Sequence, residues 1–315
     1  MIGFGQVYIP DANFKAYLVG NSAINTNGDS EIQVSEANLF NDTIECYGMN
    51  ISDLTGIEAF TDLTYLWCYG NQLTSLDVTQ NTALTDLNCW DNQLTSLDVT
   101  LNTNLTDLHC WDNQLTSLDV TLNTNLTDLH CWDNQLTSLD VTQNTSLTEL
   151  NCSDNQLTSL DVSQNTALAH LICNDSQLTS LGLSQNTMLS TLNCDNTQLT
   201  SLDVSANTAL WGLMCSNNLL TSLDVSANTA LTILVCNSNQ LTSLDLRNGN
   251  NNMLWWNSGS PIPGISVSNN PYLNCINVDD SSYCNSNWLS EMDPQHYYSN
   301  NCPPSAIEEK TTDKE

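Results

Sequence analysis

Apolar residues recur along this chain at a fixed period instead of gathering in long runs. From residue 63 to residue 246 the chain repeats the pattern L-x-x-L-x-C-x-x-N-x-L-x-x-L-x-V-x-x-N-x-x with small changes. Each apolar side chain of a copy contributes roughly 1.5–3 kcal/mol when it is buried. A single copy cannot bury its own apolar side, so the pattern predicts copies that stack as the coils of a solenoid.

The cysteines set the period of the repeat. Those spaced 21 residues apart are Cys68, Cys89, Cys110, Cys131, Cys152, Cys173, Cys194, Cys215 and Cys236, and Cys46 precedes them by 22 residues. This is the leucine-rich-repeat pattern with Cys at the third apolar position. It predicts a leucine-rich-repeat solenoid, either an α/β-type horseshoe or a β-rich right-handed coil. The short segment around each Cys should be a parallel strand of one concave sheet, with alternate residues facing outward, and the convex side should be irregular or carry short strands.

Polar columns accompany the apolar ones. One Asn column follows each Cys by three residues, as at Asn92, and we expect it to hydrogen-bond the backbone where the coil turns; Ser176 and Thr197 interrupt it. A second column is Asn81, Asn102, Asn123, Asn144, Asn165, Asn186, Asn207 and Asn228. We predict that both columns are structural. The repeat thiols are predicted to be reduced and buried, because in-register neighbours seldom offer disulfide geometry.

The pattern divides the chain into four parts. Residues 1–45 are predicted to be an N-terminal cap, residues 46–257 the repeats, residues 258–304 a C-terminal cap, and residues 305–315 a linker remnant. Cys275 and Cys302 are interpreted as a disulfide that closes the C-terminal cap in an oxidising compartment, which leaves Cys284 as the odd thiol.

The charge balance restricts the partners. Four basic residues stand against 35 acidic ones, and the formal net charge is -31. Such a chain repels phosphate, which excludes nucleic acid and anionic membrane surfaces as partners. No apolar run is long enough to insert into a bilayer. Cations, above all calcium, are the ions that we expect it to attract.

The N-terminal cap contains a candidate calcium loop. The segment NTNGDSEIQVSE at 25–36 follows a predicted helix that starts at Pro10 or Asp11. Its candidate ligands in the EF-hand register are Asn25, Asn27, Asp29, the carbonyl of Glu31, and Glu36. Asn25 replaces the usual Asp and Ser30 replaces the usual Gly, and both changes should weaken binding. The alternative is a vestigial loop that survives as a helix cap.

Several phrases of the sequence resemble one family closely. The repeat phrase NQLTSLDVSxNTALTxLxC, present with small changes at 198–215 and 218–236, is similar to the repeats of secreted, internalin-like bacterial surface proteins with 21-residue repeats. VYIPDANFKAYL and NISDLTGIEAFTDLT resemble their N-terminal cap, and NPYLNCINVDDSSYCNSNW resembles their C-terminal cap. The tail CPPSAIEEKTTDKE resembles the linker that leads into a type IX secretion sorting domain, so we expect a truncated or processed chain. The resemblance implies a secreted or surface-attached binding protein, and the group as a whole has no assigned ligand.

Outward positions of the predicted strands carry aromatic and acidic residues in the N-terminal half only. The candidate ligand-binding residues are Tyr65, Trp67, Tyr69, Asp86, Trp90, Asp107, His109, Trp111, Asp128, His130, Trp132 and Glu149. A further acidic column lies just outside the strands at Asp91, Asp112, Asp133, Asp154 and Asp175. Exposed aromatic patches mark interaction sites, and such rings and acids suit sugars or basic peptides.

Two alternatives compete with a binding face. Neighbouring Trp rings can stack on each other and stabilise a solenoid without a ligand. In addition, residues 100–120 equal residues 121–141 letter for letter, so a recent duplication accounts for the repeated Trp and His. His109 and His130 with Asp107 and Asp128 form a candidate metal site that the same duplication also explains. On the opposite side, the Asp residues of the SLDV motifs are predicted to make local hydrogen bonds, with calcium between coils as the alternative.

The sequence favours a binding protein over an enzyme. It contains no G-x-S-x-G, H-E-x-x-H or P-loop motif, and no Cys is paired with a His in a catalytic arrangement. We therefore predict a monomeric, secreted or cell-surface recognition module whose concave aromatic and acidic face binds a protein or a glycan. The runner-up is a structural or adhesive scaffold without a discrete ligand site.

Overall fold

The computed structural model describes residues 5–253, 264–288 and 292–303. The chain divides into two compact units, residues 1–157 and residues 158–315. The predicted linker remnant 305–315 and part of the predicted C-terminal cap lie outside the described residues. None of the described helices is both long and apolar enough to cross a membrane.

The first unit opens with two helices and continues as parallel strands. Helix α1 (Ala12–Gly20) begins after Asp11, whose Oδ1 accepts hydrogen bonds from the backbone N–H groups of Asn13 and Phe14 at 2.9 and 3.0 Å. This confirms the predicted helix and one of its two predicted starts. Helix α2 is Val34–Ala37, and a 3₁₀ turn spans Ile57–Ala59. The strands are β1 (Thr43–Glu45), β2 (Tyr65–Trp67), β3 (Asp86–Asn88), β4 (Asp107–His109), β5 (Asp128–His130) and β6 (Glu149–Asn151).

These strands form one parallel sheet in the order β1 to β6, each paired in register with the next. The middle residue of each strand, such as Leu87, Leu108 or Leu129, is fully buried. The residues on either side of it point outward, because successive side chains of a strand alternate between its two faces. Equivalent residues of successive repeats therefore lie side by side and form columns of side chains on the outer face of the sheet.

The second unit continues the same design. Its strands are β7 (His170–Ile172), β8 (Thr191–Asn193), β9 (Gly212–Met214), β10 (Ser222–Asp224), β11 (Ile233–Val235), β12 (Ser243–Asp245), β13 (Ile265–Ser266), β14 (Cys275–Asn277) and β15 (Tyr297–Ser299). One parallel sheet runs β7-β8-β9-β11-β13, and a second runs β10-β12-β14-β15. A 3₁₀ turn spans Asn251–Met253, and helix α3 spans Ser281–Asn287. The second sheet supplies the short strands expected on the other side of the coils.

Coil geometry continues past the point where the sequence period fails. Strand β13 pairs in register with β11, and Asn270 donates from Nδ2 to the carbonyls of Cys236 and Val267 at 3.1 and 2.9 Å. Asn239 makes the equivalent pair of bonds one coil earlier, to Cys215 and Cys236. A disulfide joins Cys275 to Cys302, the pair that the sequence suggested. Cys284 is a buried free thiol of α3, and burial raises its pKa to about 12.

Buried Asn side chains tie successive coils together in both units. Asn102 donates from Nδ2 to the carbonyls of Val78 and Asn81 at 2.9 Å each. In the second unit Asn207 donates to Leu183 and Asn186 at 3.1 and 2.8 Å. Each of these carbonyls also accepts a backbone N–H of its own turn, so the amide adds a second hydrogen bond that connects one coil to the next. The structural role predicted for this Asn column is confirmed.

The other Asn column has the same function one turn away. Asn92 donates to the carbonyls of Cys68 and Cys89 at 3.1 Å each, and its Oδ1 accepts from the backbone N–H of Leu73. Where Ser176 interrupts the column, its hydroxyl still donates to the Cys173 carbonyl at 2.9 Å. The predicted hydrogen bonds to the backbone at the coil turn are therefore present.

The thiols and the SLDV aspartates behave as predicted from the sequence. The ten repeat cysteines are buried and form no disulfide, and burial raises the pKa of Cys89, Cys152 and Cys236 to about 12. The Asp98 Oδ1 accepts from the backbone N–H and the hydroxyl of Thr100 at 3.0 and 2.6 Å. These bonds, the one from the hydroxyl first, lower the pKa of Asp98. Local hydrogen bonding, the simpler of the two interpretations, is thus confirmed for this column.

Candidate functional site

Five aromatic rings stack face to face on the outer sheet face of the first unit. We call Tyr47, Tyr69, Trp90, Trp111 and Trp132 the ring stack. Successive centroids are 4.6, 4.3, 4.2 and 4.3 Å apart, and successive planes differ by 10° or less. Adjacent strands are about 4.8 Å apart, so identical side-chain orientations bring the rings into contact. The ring faces inside the stack are therefore covered, and their edges face solvent.

The stack has a member that the sequence analysis missed. Tyr47 follows Cys46 as Trp90 follows Cys89, so the cysteine column contained the signal. At the other end the column continues with Ser153, which has no ring, and the stack stops at Trp132. Tyr65 and Trp67 lie on β2 and are not part of the stack.

A second outward column contacts carboxylates on the following strand. Trp67 donates from Nε1 to Asp86 Oδ1 at 3.1 Å, and His130 Nε2 is 3.2 Å from Glu149 Oε1. His109 Nε2 is 3.3 Å from Asp128 Oδ1. Each contact joins residue i to residue i+19, one strand further along the sheet. Carboxylates of this column therefore contact side chains of the preceding strand and are also accessible to solvent.

His109, Asp128 and His130 form a compact polar cluster on the sheet face. Both imidazole Nε2 atoms are 3.3 Å from the same oxygen, Asp128 Oδ1. The two imidazoles stack with their centroids 4.7 Å apart. Asp107, the other carboxylate proposed for a metal site, is not in the cluster; it accepts a hydrogen bond from the Thr106 hydroxyl at 2.6 Å. That part of the metal-site interpretation is corrected, because His109 contacts Asp128 on the next strand and not Asp107 on its own, whereas His130 contacts both Asp128 and Glu149.

The cluster shifts the ionisation of its own members. Burial alone lowers the pKa of His109, but the hydrogen bond to Asp128 and the charges of Asp128, Asp86 and Asp107 raise it above its usual value. For Asp128, burial alone raises the pKa, but the hydrogen bond from His109 and the charges of His130 and His109 lower it overall. The pair is thus biased toward imidazolium and carboxylate.

The acidic column beside the ring stack also has a backbone role. Asp91, Asp112, Asp133 and Asp154 have φ angles of 50–52°, in the left-handed region. Asp and Asn tolerate this conformation better than most residues, and Gly70 occupies it in the coil before. Burial first, and then the charges of Asp133 and Asp91, raises the pKa of Asp112. These carboxylates repel one another at the edge of the ring stack.

The candidate calcium ligands share one loop whose oxygens already accept protein donors. Glu36 Oε1 accepts from the backbone N–H groups of Thr26 and Asn27 and from the Thr26 hydroxyl at 2.8–3.0 Å. Its Oε2 accepts from the Gln33 N–H at 3.0 Å, and Asn25 Oδ1 accepts from Gly28 N–H at 3.0 Å. Glu31 pairs with Lys15 at 2.7 Å. Calcium binding in this loop remains a prediction.

Comparisons with known proteins agree on the fold. No family model matches the chain. A structure of the functional domain of InlJ from Listeria monocytogenes, described as including a cysteine ladder, has a TM-score of 0.65 and 37% identity over 92% of this chain and 68% of that chain. The structure of InlF from the same species has a TM-score of 0.60 at 20% identity, over 94% of this chain and 96% of that one. The second likeness shows the fold alone.

A curated relative gives a local match. Internalin J of L. monocytogenes serotype 4b is 44% identical over 76 residues, 24% of this chain and 8% of that protein. The match therefore spans a small fraction of internalin J.

The stacked parallel coils define a leucine-rich-repeat solenoid, and the predicted fold class is confirmed. Within that class the chain belongs to the internalin-like leucine-rich-repeat proteins.

Proposed function

We propose that this chain is an extracellular recognition module that binds a protein ligand through the outer face of strands β2–β6. The observation that supports this most directly is the ring stack between two columns of carboxylates. One column is Asp86, Asp107, Asp128 and Glu149, and the other is Asp91, Asp112, Asp133 and Asp154. Aromatic residues anchor interfaces, and complementary charge steers the partner.

The electrostatics favour a ligand with Lys or Arg side chains. The chain has a formal net charge of -31. Burial first, and then repulsion from the charges of Asp133 and Asp91, raises the pKa of Asp112. A cationic group at this edge relieves that repulsion and gains interaction energy as it does so. Stacking covers the ring faces that a sugar needs, so we rank a glycan, the other ligand class that the sequence suggested, below a protein.

The proposed location is outside the producing cell, either secreted or at the cell surface. The disulfide between Cys275 and Cys302 supports it, because disulfides persist mainly in oxidising compartments. The proposed role is binding rather than catalysis. The repeat thiols are fully buried with strongly raised pKa values, for example at Cys89, and a nucleophilic thiolate requires a lowered one.

A peptide and glycan array on the purified chain tests this function. We expect signals from Lys- and Arg-containing peptides that weaken with added salt. Trp111→Ala combined with Trp132→Ala should abolish these signals. Trp211→Ala is the matched control, because Trp211 is exposed and has no ring partner among the described residues. Peptide signals that survive the double substitution contradict the proposal. Signals from glycans alone would mean that the ligand is a glycan and not a protein.

The second candidate is a structural or adhesive scaffold. The observation that favours it is the stack itself, because rings that contact each other stabilise neighbouring coils without a ligand. A scaffold predicts that the double Trp substitution lowers the melting temperature while the wild-type array is blank. A recognition module predicts array signals that the substitution removes.

A further inference from the structure

Two imidazoles and one carboxylate converge on the outer face of β4 and β5. We propose that His109, Asp128 and His130 form a binding site for a divalent transition-metal ion that prefers imidazole ligands, of which Zn²⁺ is the representative. The site lies beside the ring stack and does not depend on any ligand of that face.

The distances suit a metal ion. Each Nε2 is 3.3 Å from Asp128 Oδ1, and all three atoms lie within 4.8 Å of one another, so a point equidistant from them is about 2.4 Å or less from each. Zinc bonds to His nitrogen and carboxylate oxygen are roughly 2.0–2.2 Å long. Side-chain movements of a few tenths of an ångström therefore complete the three bonds.

The backbone beneath the cluster keeps the three ligands in place. His109 lies on β4 and pairs in register with His130 on β5, over the buried Leu108 and Leu129. Ligands on adjacent strands of a packed sheet require little ordering when the ion binds. The identical segments 100–120 and 121–141 create this arrangement, because copying one coil places a second His 4.7 Å from the first, ring to ring.

A fourth ligand is within reach. Glu149 Oε1 on β6 is 3.2 Å from His130 Nε2, and its side chain is partly exposed. It supplies a tetrahedral fourth position, or water does. Two imidazoles with carboxylates suit Zn²⁺, Ni²⁺ or Cu²⁺, whereas calcium takes oxygen ligands. The hydrogen bonds that now connect the imidazoles to Asp128 and Glu149 are exchanged for metal bonds, with release of the protons.

Calorimetric titration of the chelator-treated full chain with zinc chloride tests the site. We expect one zinc ion per chain and a rise in melting temperature on zinc addition. Replacing both His109 and His130 with Asn should weaken zinc binding by more than about 100-fold. Loss of a residue that only hydrogen-bonds a metal ligand already weakens binding by up to about 100-fold, and loss of two ligands should weaken it more. Asn is compatible with the fold because Asn88 and Asn151 occupy this column in the flanking coils.

Asp107 and Asp128 provide a matched pair, because they occupy the same position in identical 21-residue segments. Asp128→Asn should weaken zinc binding strongly, and Asp107→Asn should change it by only a few-fold. Equal losses in the two variants indicate general attraction by the acidic face and overturn the proposal. The proposal is also overturned if the wild-type chain binds no zinc. It is overturned as well if zinc binding survives the loss of both imidazoles, because the ion is then held elsewhere, for example by the thiols.

Discussion

The sheet β1 to β6 of the first unit and the sheet β7-β8-β9-β11-β13 of the second unit carry different outward side chains on the same coil backbone. In the first unit the position after each repeat Cys holds a ring from Tyr47 to Trp132, and the rings stack. In the second unit the same position holds Asn174, Asp195, Ser216 and Asn237. There Ser216 donates its hydroxyl hydrogen to Asn237 Oδ1 at 2.8 Å, and its N–H donates to Asp195. A column of small polar residues thus makes hydrogen bonds where the first unit makes ring contacts.

The core beneath both faces is the same. Leu, Cys and Asn occupy equivalent buried positions, as at Leu108 and Leu192 or at Asn102 and Asn207. Left-handed backbone recurs three residues after the strands, at Asp112 in one unit and Asn196 in the other. The comparison shows that the coil tolerates free choice at outward positions, so selection for a ligand can act there without disturbing the fold.

Removing a buried Asn should have the largest effect, and it should be similar in both units. Asn123 donates to the carbonyls of Val99 and Asn102 at 2.9 and 2.8 Å. Its replacement by Ala removes one of the two hydrogen bonds that each of these carbonyls accepts and leaves a cavity at a fully buried site, and we expect the free energy of unfolding to fall by about 2–4 kcal/mol. Urea denaturation of Asn123→Ala and of Asn207→Ala measures it. Asn104→Ala, which removes an exposed amide, is the control, and a loss as large as that of Asn123→Ala there would refute the argument.

Removing an aromatic ring should reduce stability more in the first unit than in the second. Trp111 stacks on Trp90 and Trp132, and each aromatic pair contributes about 0.5–1.5 kcal/mol beyond the area it buries. Trp111→Ala should therefore destabilise the chain by roughly 1–3 kcal/mol. Trp211→Ala in the second unit should cost less than about 0.5 kcal/mol, as exposed substitutions usually do. Similar melting temperatures for the two variants would mean that ring stacking contributes nothing.

The His cluster makes part of the stability depend on pH. The pKa of His109 is raised in the folded chain against the effect of burial, by the hydrogen bond to Asp128 and by nearby carboxylates. Its contribution to stability is therefore full below the unfolded-state pKa and is lost as pH rises through the folded-state pKa. The difference in melting temperature between the wild type and His109→Asn should be larger near about pH 5 than near about pH 9.

NMR titration of the imidazole supplies a direct control for this pH effect. The midpoint for His109 should lie above the usual value and should fall in Asp128→Asn, which removes its hydrogen-bond partner. An unchanged midpoint in that variant would show that the cluster does not set the pKa.

Calcium should have the smallest effect. The oxygens of Glu36 already accept four hydrogen bonds from Thr26, Asn27 and Gln33, so an ion must displace them. We expect millimolar calcium to raise the melting temperature by only a few degrees, as weak binding does. Asp29→Ala removes a candidate ligand and should abolish the rise. A rise that persists in this variant places the ion elsewhere.

Much of the architecture followed from periodicity. The Cys spacing predicted the coils, and the Asn columns and the Asp98 column have the hydrogen bonds expected of them. The continuation of the coils through Ile265 and Asn270 was not predicted, because 31 residues separate Cys236 from Val267 in place of the usual 21. Periodic patterns detect only equal spacing, whereas strand pairing tolerates a longer loop between coils.

The sequence predicted which residue types form the candidate site, but not which of their side chains contact each other. Column order alone identified four of the five stacked rings, the two imidazoles and the acidic residues of the sheet face, and it missed Tyr47. It did not show that ring faces cover each other, or that His109 faces Asp128 on the next strand instead of Asp107 on its own. Side-chain orientation across strands sets both features, and a one-dimensional pattern does not contain it.

Sequence periodicity was thus sufficient for the solenoid, its buried columns and the sidedness of each strand, because these depend on repeating local geometry and on burial of apolar side chains. The folded structure was needed for the ring stack and for the convergence of His109, Asp128 and His130 on one oxygen. The ring contacts join residues 21 or 22 positions apart, and the contact of His109 with Asp128 joins residues 19 positions apart. The sheet holds these residues about 5 Å apart, and the direction of each side chain decides which atoms meet.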